Sequence, residues 1–95
     1  MYNYFEWWKN IMIIVTFTSK TEIFAFTDRL LAIGIASKIV SVPKEVKIGC
    51  GLAVSLNVNY LNTAVSVIKR GGFSTFKAIY RERIFGGRRT LYKIM

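Results

Sequence analysis

Residues 11–34 read IMIIVTFTSKTEIFAFTDRLLAIG, and the change of rhythm inside them decides the fold. Ile11 to Phe17 is an unbroken β-branched and aromatic run of strand length, the pattern of a strand buried on both faces. Ser19-Lys20-Thr21-Glu22 then forms a capping box, in which Ser19 accepts from the Glu22 amide while the Glu22 carboxylate reaches back. Beyond it Ile23, Phe26, Thr27, Leu30 and Leu31 recur at helical spacing, with Asp28 and Arg29 on the other side and Gly34 as a ready stop. The stretch predicts a buried strand followed by a helix that lays one apolar face on a sheet.

The rest of the chain extends this pattern. Residues 35–42, IASKIVSV, alternate loosely and end at Pro43, which cannot donate to a ladder. KEVKIGCG connects them to a third strand in which Leu52, Val54 and Leu56 alternate with Ala53 and Ser55. Asn57 is a good N-cap for a second helix carrying Leu61, Ala64, Val65 and Ile68 at i, i+3, i+4 and i+7. Gly71 and Gly72 end it, and FSTFKAIY reads as strand four. The order is β-α-β-β-α-β, and right-handed crossovers turn it into an α+β, ferredoxin-like two-layer sandwich: a four-stranded antiparallel sheet with two helices on one face. An apolar sheet face left open in so small a domain favours a homodimer.

Length and composition agree with one packed domain. A chain of 95 residues encloses a single core and buries ~60% of its unfolded surface, and a hydrophobic fraction of 53% is far from the signature of disorder. The segments outside the strand and helix pattern are an aromatic N-terminal extension, 1–10, with Tyr2, Tyr4, Phe5, Trp7 and Trp8, and a basic C-terminal tail, 82–95. Residues 11–81 form the domain proper. The formal net charge is +9, and between Lys69 and Met95 stand eight basic residues against one acid, Glu82. Such an excess attracts nucleic acid, acidic proteins or anionic membranes without choosing among them.

Several classes of chemistry drop out. The chain has no histidine, which removes the usual general base and with it Ser/His/Asp and Cys/His nucleophile schemes. One cysteine makes no internal disulfide, and no cluster suits a metal, so a reducing cytoplasm is the expected compartment. The first residues carry Glu6 and no A-x-A-like site follows, so they read as mature sequence. Asp28, Arg29 and Lys38 interrupt the most apolar longer window, so no membrane span is expected.

The one cysteine, Cys50, sits between Gly49 and Gly51 in KIGCGLAV. A lone cysteine more often packs as a small hydrophobe. Here the flanking glycines give it no bulky neighbours in sequence, and Lys44 and Lys47 stand in the same loop, partly opposed by Glu45. Nearby cations favour thiolate: at an ordinary pKa of ~8.5 about 3% of a thiol is ionised at pH 7, at a pKa near 7 about half. On these residues alone the reactive and the structural readings stand even.

Three segments, VTFTSKTEIFAFTDRLLAIGI, VSVPKEVKIGCGLAVSL and LNTAVSVIKRGGF with IYR, resemble a small bacterial domain family of selenium/sulfur carrier-like proteins, linked to the TusA-type sulfur relay. The resemblance runs from Ile14 to about Arg81 and covers neither end of the chain. It implies that Cys50 is the carrier thiol, holding sulfur or selenium covalently with no other cofactor, and that the protein is a carrier rather than a stand-alone enzyme. Gly49, Gly51, Lys44 and Lys47 would then serve binding and activation. The implied partners are a donor such as a cysteine desulfurase and an acceptor protein. The Cys-Pro-x-Pro motif of TusA-type carriers is absent. Two other readings compete: a ferredoxin-like regulatory or ligand-binding module with a structural Cys50, and an RNA-binding module, for which strands one and three supply no RNP-like motif.

Overall fold

The computed structural model describes residues 11–42, 51–85 and 87–95, with the side chains of Ile84, Phe85, Arg88 and Arg89 outside that description. Strand β1 is Met12–Phe17, helix α1 Lys20–Ala32, strand β2 Lys38–Ser41, strand β3 Leu52–Asn57, helix α2 Leu61–Gly71, strand β4 Phe76–Phe85 and strand β5 Arg88–Lys93. Among the described residues the class is α+β: two helices on an antiparallel sheet ordered β2-β3-β1-β4-β5. The expected four-stranded sheet is therefore corrected, among those residues, to one of five strands. β4 continues past Tyr80, the last residue assigned to strand four, and β5 pairs with it from Tyr80↔Lys93 to Phe85↔Arg88.

The opening stretch behaves as read, with two differences. Ser19 caps α1 by accepting from the Glu22 amide at 3.4 Å. The Glu22 carboxylate does not complete the box; it turns to the α2–β4 connection, where Ser74 and Thr75 donate to it. Those donors satisfy it better than one amide at the helix start. Leu31, grouped with the core-facing residues by spacing, is 68% exposed, because the buried stripe of α1 is only Ile23, Phe26 and Leu30.

Helix α1 ends in a Schellman arrangement. Gly34 takes a φ of +84°, its N–H donates to the Leu31 carbonyl, and the Ile35 N–H donates back to Leu30. Ile35 is buried beside Leu30 in the core, so residues 35–37 belong to the helix exit, and β2 is shorter than the alternation in 35–42 implies. Asn57 also differs in detail: its side chain accepts from the Asn59 amide and caps a 3₁₀ turn, Val58–Tyr60, from which α2 continues.

The sheet is buried on both sides at its centre. Ile13, Val15 and Phe17 of β1 meet the helices, together with Val54, Leu56 and Ile79. Alternation sends Ile14 and Thr16 to the other face, where they are buried alongside Ala53, Ser55 and Ala78. Full burial of a side chain such as Ile13 or Phe17 contributes roughly 1.5–3 kcal/mol. Phe17 anchors an aromatic group, with ring centroids 5.2 Å from Phe26, 5.6 Å from Phe73 and 6.0 Å from Phe76. Together these rings hold α1 and the connection that follows α2 against the end of the sheet where β1 finishes.

Candidate functional site

That same end of the sheet receives the β2–β3 hairpin. β3 runs antiparallel to β1, with Ala53 opposite Thr16, so Gly51 and Leu52 lie at the end where β1 gives way to α1. The ladder of the hairpin runs to Ser41↔Leu52, and beyond it the Val42 N–H donates to the Gly51 carbonyl at 2.9 Å. The segment from Val42 to Gly51 is thus closed at its base by the ladder of two strands. Of the five residues singled out in the sequence, Gly51 alone lies among the described ones; Cys50, Gly49, Lys44 and Lys47 lie outside them.

Gly51 has a φ of +71°, a left-handed conformation that costs an L-residue with a Cβ but not glycine. A Cβ built there would meet nothing within 4 Å, and Gly51 is exposed. Its glycine identity answers to backbone conformation, and the space around it is open. The residue that follows the cysteine in sequence is therefore a turn residue at an accessible strand entrance.

Two features give this end of the sheet its electrostatic character. α1 begins here, and a helix N-terminus carries a partial positive charge from its unpaired N–H groups; Lys20 is exposed in that first turn. The nearby acid, Glu22, is held by its donors: the Thr75 backbone N–H at 3.0 Å pulls its pKa below the ordinary value, partial desolvation opposes this, and the Thr75 and Ser74 hydroxyls at 2.8 and 3.1 Å add to the lowering. Glu22 stays ionised and committed to its own hydrogen bonds, which the sequence hid because Ser74 and Thr75 lie far along the chain.

Among the described residues no group of three or more His, Cys, Asp or Glu side chains stands ready for a metal ion, and no helix is long and apolar enough to cross a membrane; the latter says nothing of a strand-built barrel. A family model described as "Putative Se/S carrier protein-like" matches residues 12–81, a span that includes Cys50 and ends within β4. No match was found among curated proteins or among solved structures.

Proposed function

The chain belongs to the Se/S carrier protein-like family, and from that premise we propose that Cys50 is its carrier thiol. The observation that carries the reading is the family match itself, which spans the one cysteine of the chain. The left-handed Gly51, the open space around it and the hairpin closure by Val42 support an accessible position for the preceding residue. The order β2-β3-β1-β4 beneath two helices supports a ferredoxin-like core to which β5 is an addition at the β4 edge.

The chemistry asks for little machinery. The Cys50 thiolate attacks the outer sulfur of a donor persulfide; a new sulfur–sulfur bond forms, the donor's breaks, and the donor leaves as a thiolate. The loaded Cys50 persulfide, or its selenium counterpart, is then attacked at its terminal atom by an acceptor nucleophile, and Cys50 leaves as thiolate. Two exchanges of equal and opposite sense need no net oxidant. Lys44 and Lys47 stabilise the thiolate, and Gly49 and Gly51 let a partner's backbone approach. The partners are a sulfur or selenium donor, such as a cysteine desulfurase, and an acceptor protein. A reducing, cytoplasmic setting keeps the thiol free between transfers.

Alkylation of the native protein across a range of pH tests this. A carrier thiol reacts without denaturant, and its rate rises through a midpoint below the ordinary ~8.5 of cysteine. A thiol that reacts only after unfolding is a core residue, and the carrier assignment then fails.

A further inference from the structure

The sheet face turned away from the helices is closed to a partner, since Ile14, Thr16, Ala53 and Ala78 are buried within the single chain. Among the described residues the sheet is left open at its two edges, β2 and β5. The Val42 N–H donates to Gly51 across the β2–β3 ladder, and backbone groups alternate sides along a strand, so Val40 and Lys38 also turn to β3. The N–H and C=O groups of Ile39 and Ser41 then point the other way, to the open edge. Both residues are exposed.

The flank of α1 on this side is apolar. α1 packs on β1 and β3, and its Glu22 and Arg29 reach toward β4, to Thr75 and to the Phe73 ring of the α2–β4 connection. The opposite flank, where Phe24 and Leu31 stand two turns apart, faces the β2 edge. Phe24 is 52% and Leu31 68% exposed. Ile39 shares the helix side of the sheet with its cross-strand partner Val54 and is itself exposed. One helix flank and one strand edge form a single apolar step.

We infer that a second copy of the chain occupies this edge, β2 against β2 antiparallel about a two-fold axis at Val40. That register pairs Ile39 with the partner's Ser41 and Ser41 with the partner's Ile39, so the four outward backbone groups of each copy are all satisfied. It also sets Lys38 opposite the partner's Val42, so no like charges face each other. The β5 edge fails that condition. Ile94 turns to β4, which leaves Lys93, Leu91 and Arg89 outward, and the register that satisfies them puts Arg89 and the partner's Lys93 at one pair, like charge against like. Pairing at β2 brings the two apolar steps onto one side of the joined sheet, facing each other across the axis. The hairpins that carry Cys50 then point to opposite ends of that sheet, and the contact is independent of the thiol.

The test is sedimentation velocity of the full chain from about 1 to 500 μM. A short strand and one helix flank make a small interface, so a dimer is expected with a Kd on the order of 10 μM. Salt should tighten it, by screening the repulsion between two copies of charge +9. Ser41→Pro removes an outward N–H and no ladder bond, and should weaken the dimer at least ~10-fold. Lys93→Pro, the same change at the β5 edge, should shift it by less than about 2-fold. Cross-linking reads the register. With Cys50→Ser in place, Val40→Cys sets two thiols directly opposite, at a Cα separation of ~4.5 Å, and should form an intermolecular disulfide with diamide as oxidant. Lys38→Cys leaves them about 13 Å apart along the strands and should not. Cys50→Ser alone should dimerise as the wild type does, so failure of the carrier assignment leaves this result standing. Thermal unfolding of each variant verifies that its fold is kept. A monomer at every concentration, equal losses from the two proline variants, or equal cross-linking from positions 38 and 40 overturns the proposal.

Discussion

The Glu22 carboxylate accepts the Thr75 backbone N–H at 3.0 Å, tying the first turn of α1 to the entrance of β4 across 53 residues of sequence. With the Thr75 and Ser74 hydroxyls added, one side chain joins the two halves of the domain at the end of the sheet where the β2–β3 hairpin arrives. The folded-state pKa of Glu22 is lowered, chiefly by that N–H, from an ordinary 4.5. A depressed carboxylate contributes stability that is complete above the unfolded value and is lost as pH falls through the folded one. Glu22→Gln should therefore lower the thermal midpoint at pH 7, and the difference from wild type should shrink steadily below pH 4.5. A difference that does not change between pH 7 and strong acid contradicts the assignment.

Thr16 stands in the middle of an apolar run, and its hydroxyl has a structural task. It donates to the Ala78 carbonyl at 2.8 Å and accepts the Ala78 N–H at 3.0 Å, beside the point where the β1–β4 register shifts. All of these atoms are buried. Thr16→Val keeps the shape but removes both of these buried bonds, at a cost of about 1–3 kcal/mol, whereas Thr16→Ser keeps them. Urea unfolding of the pair separates them: equal midpoints mean the hydroxyl is dispensable.

Gly71 is held by close approach rather than by backbone conformation. A Cβ there runs into the Phe73 ring and the Arg29 guanidinium, which itself lies 5.2 Å from the centre of that ring. Phe73 cannot yield freely, because it packs on Phe17 and edge-on against Phe26. Gly71→Ala should destabilise by about 1–3 kcal/mol in spite of alanine's better helix propensity. A stabilised Gly71→Ala protein, measured by chemical denaturation, contradicts the packing.

At the hairpin the opposite logic holds. Gly51 has room for a side chain but a φ of +71°, so Gly51→Ala should cost about 1–2 kcal/mol, and Gly51→Asn, which tolerates the left-handed region, less. Because the strain falls next to Cys50, the alanine variant should also alter the alkylation rate of the thiol. No change in either property detaches Gly51 from the site.

Much of the fold was legible because local chemistry and global packing agree in β1, α1, β3 and α2. The continuous run Ile11–Phe17 announced a strand covered on both sides, and the Ser19 cap and the Gly34 and Gly72 stops set the helix limits to within a few residues. β5 stayed hidden because an edge strand wet on both faces shows no hydrophobic alternation, and four arginines between Arg81 and Arg89 read as a solvated tail. The signal was there in Gly86-Gly87 between two strand-forming stretches, a hairpin pattern that composition outweighed. Glu22's partners were illegible for a different reason: a capping box is a local pattern, and the competing donors come from the far side of α2. Cys50 was singled out by family resemblance, since its flanking glycines and lysines left the reactive and structural readings even.

The central claim is that Cys50 accepts sulfur and gives it up. The most direct measurement is mass spectrometry of the peptide containing Cys50 after incubation of the native protein with a cysteine desulfurase and cysteine, with persulfides trapped by alkylation and a known carrier loaded in parallel. The predicted result is a Cys50 peptide heavier by one sulfur atom, its adduct removed by an acceptor thiol and missing from Cys50→Ser. An unmodified Cys50 under conditions that load the known carrier contradicts the account.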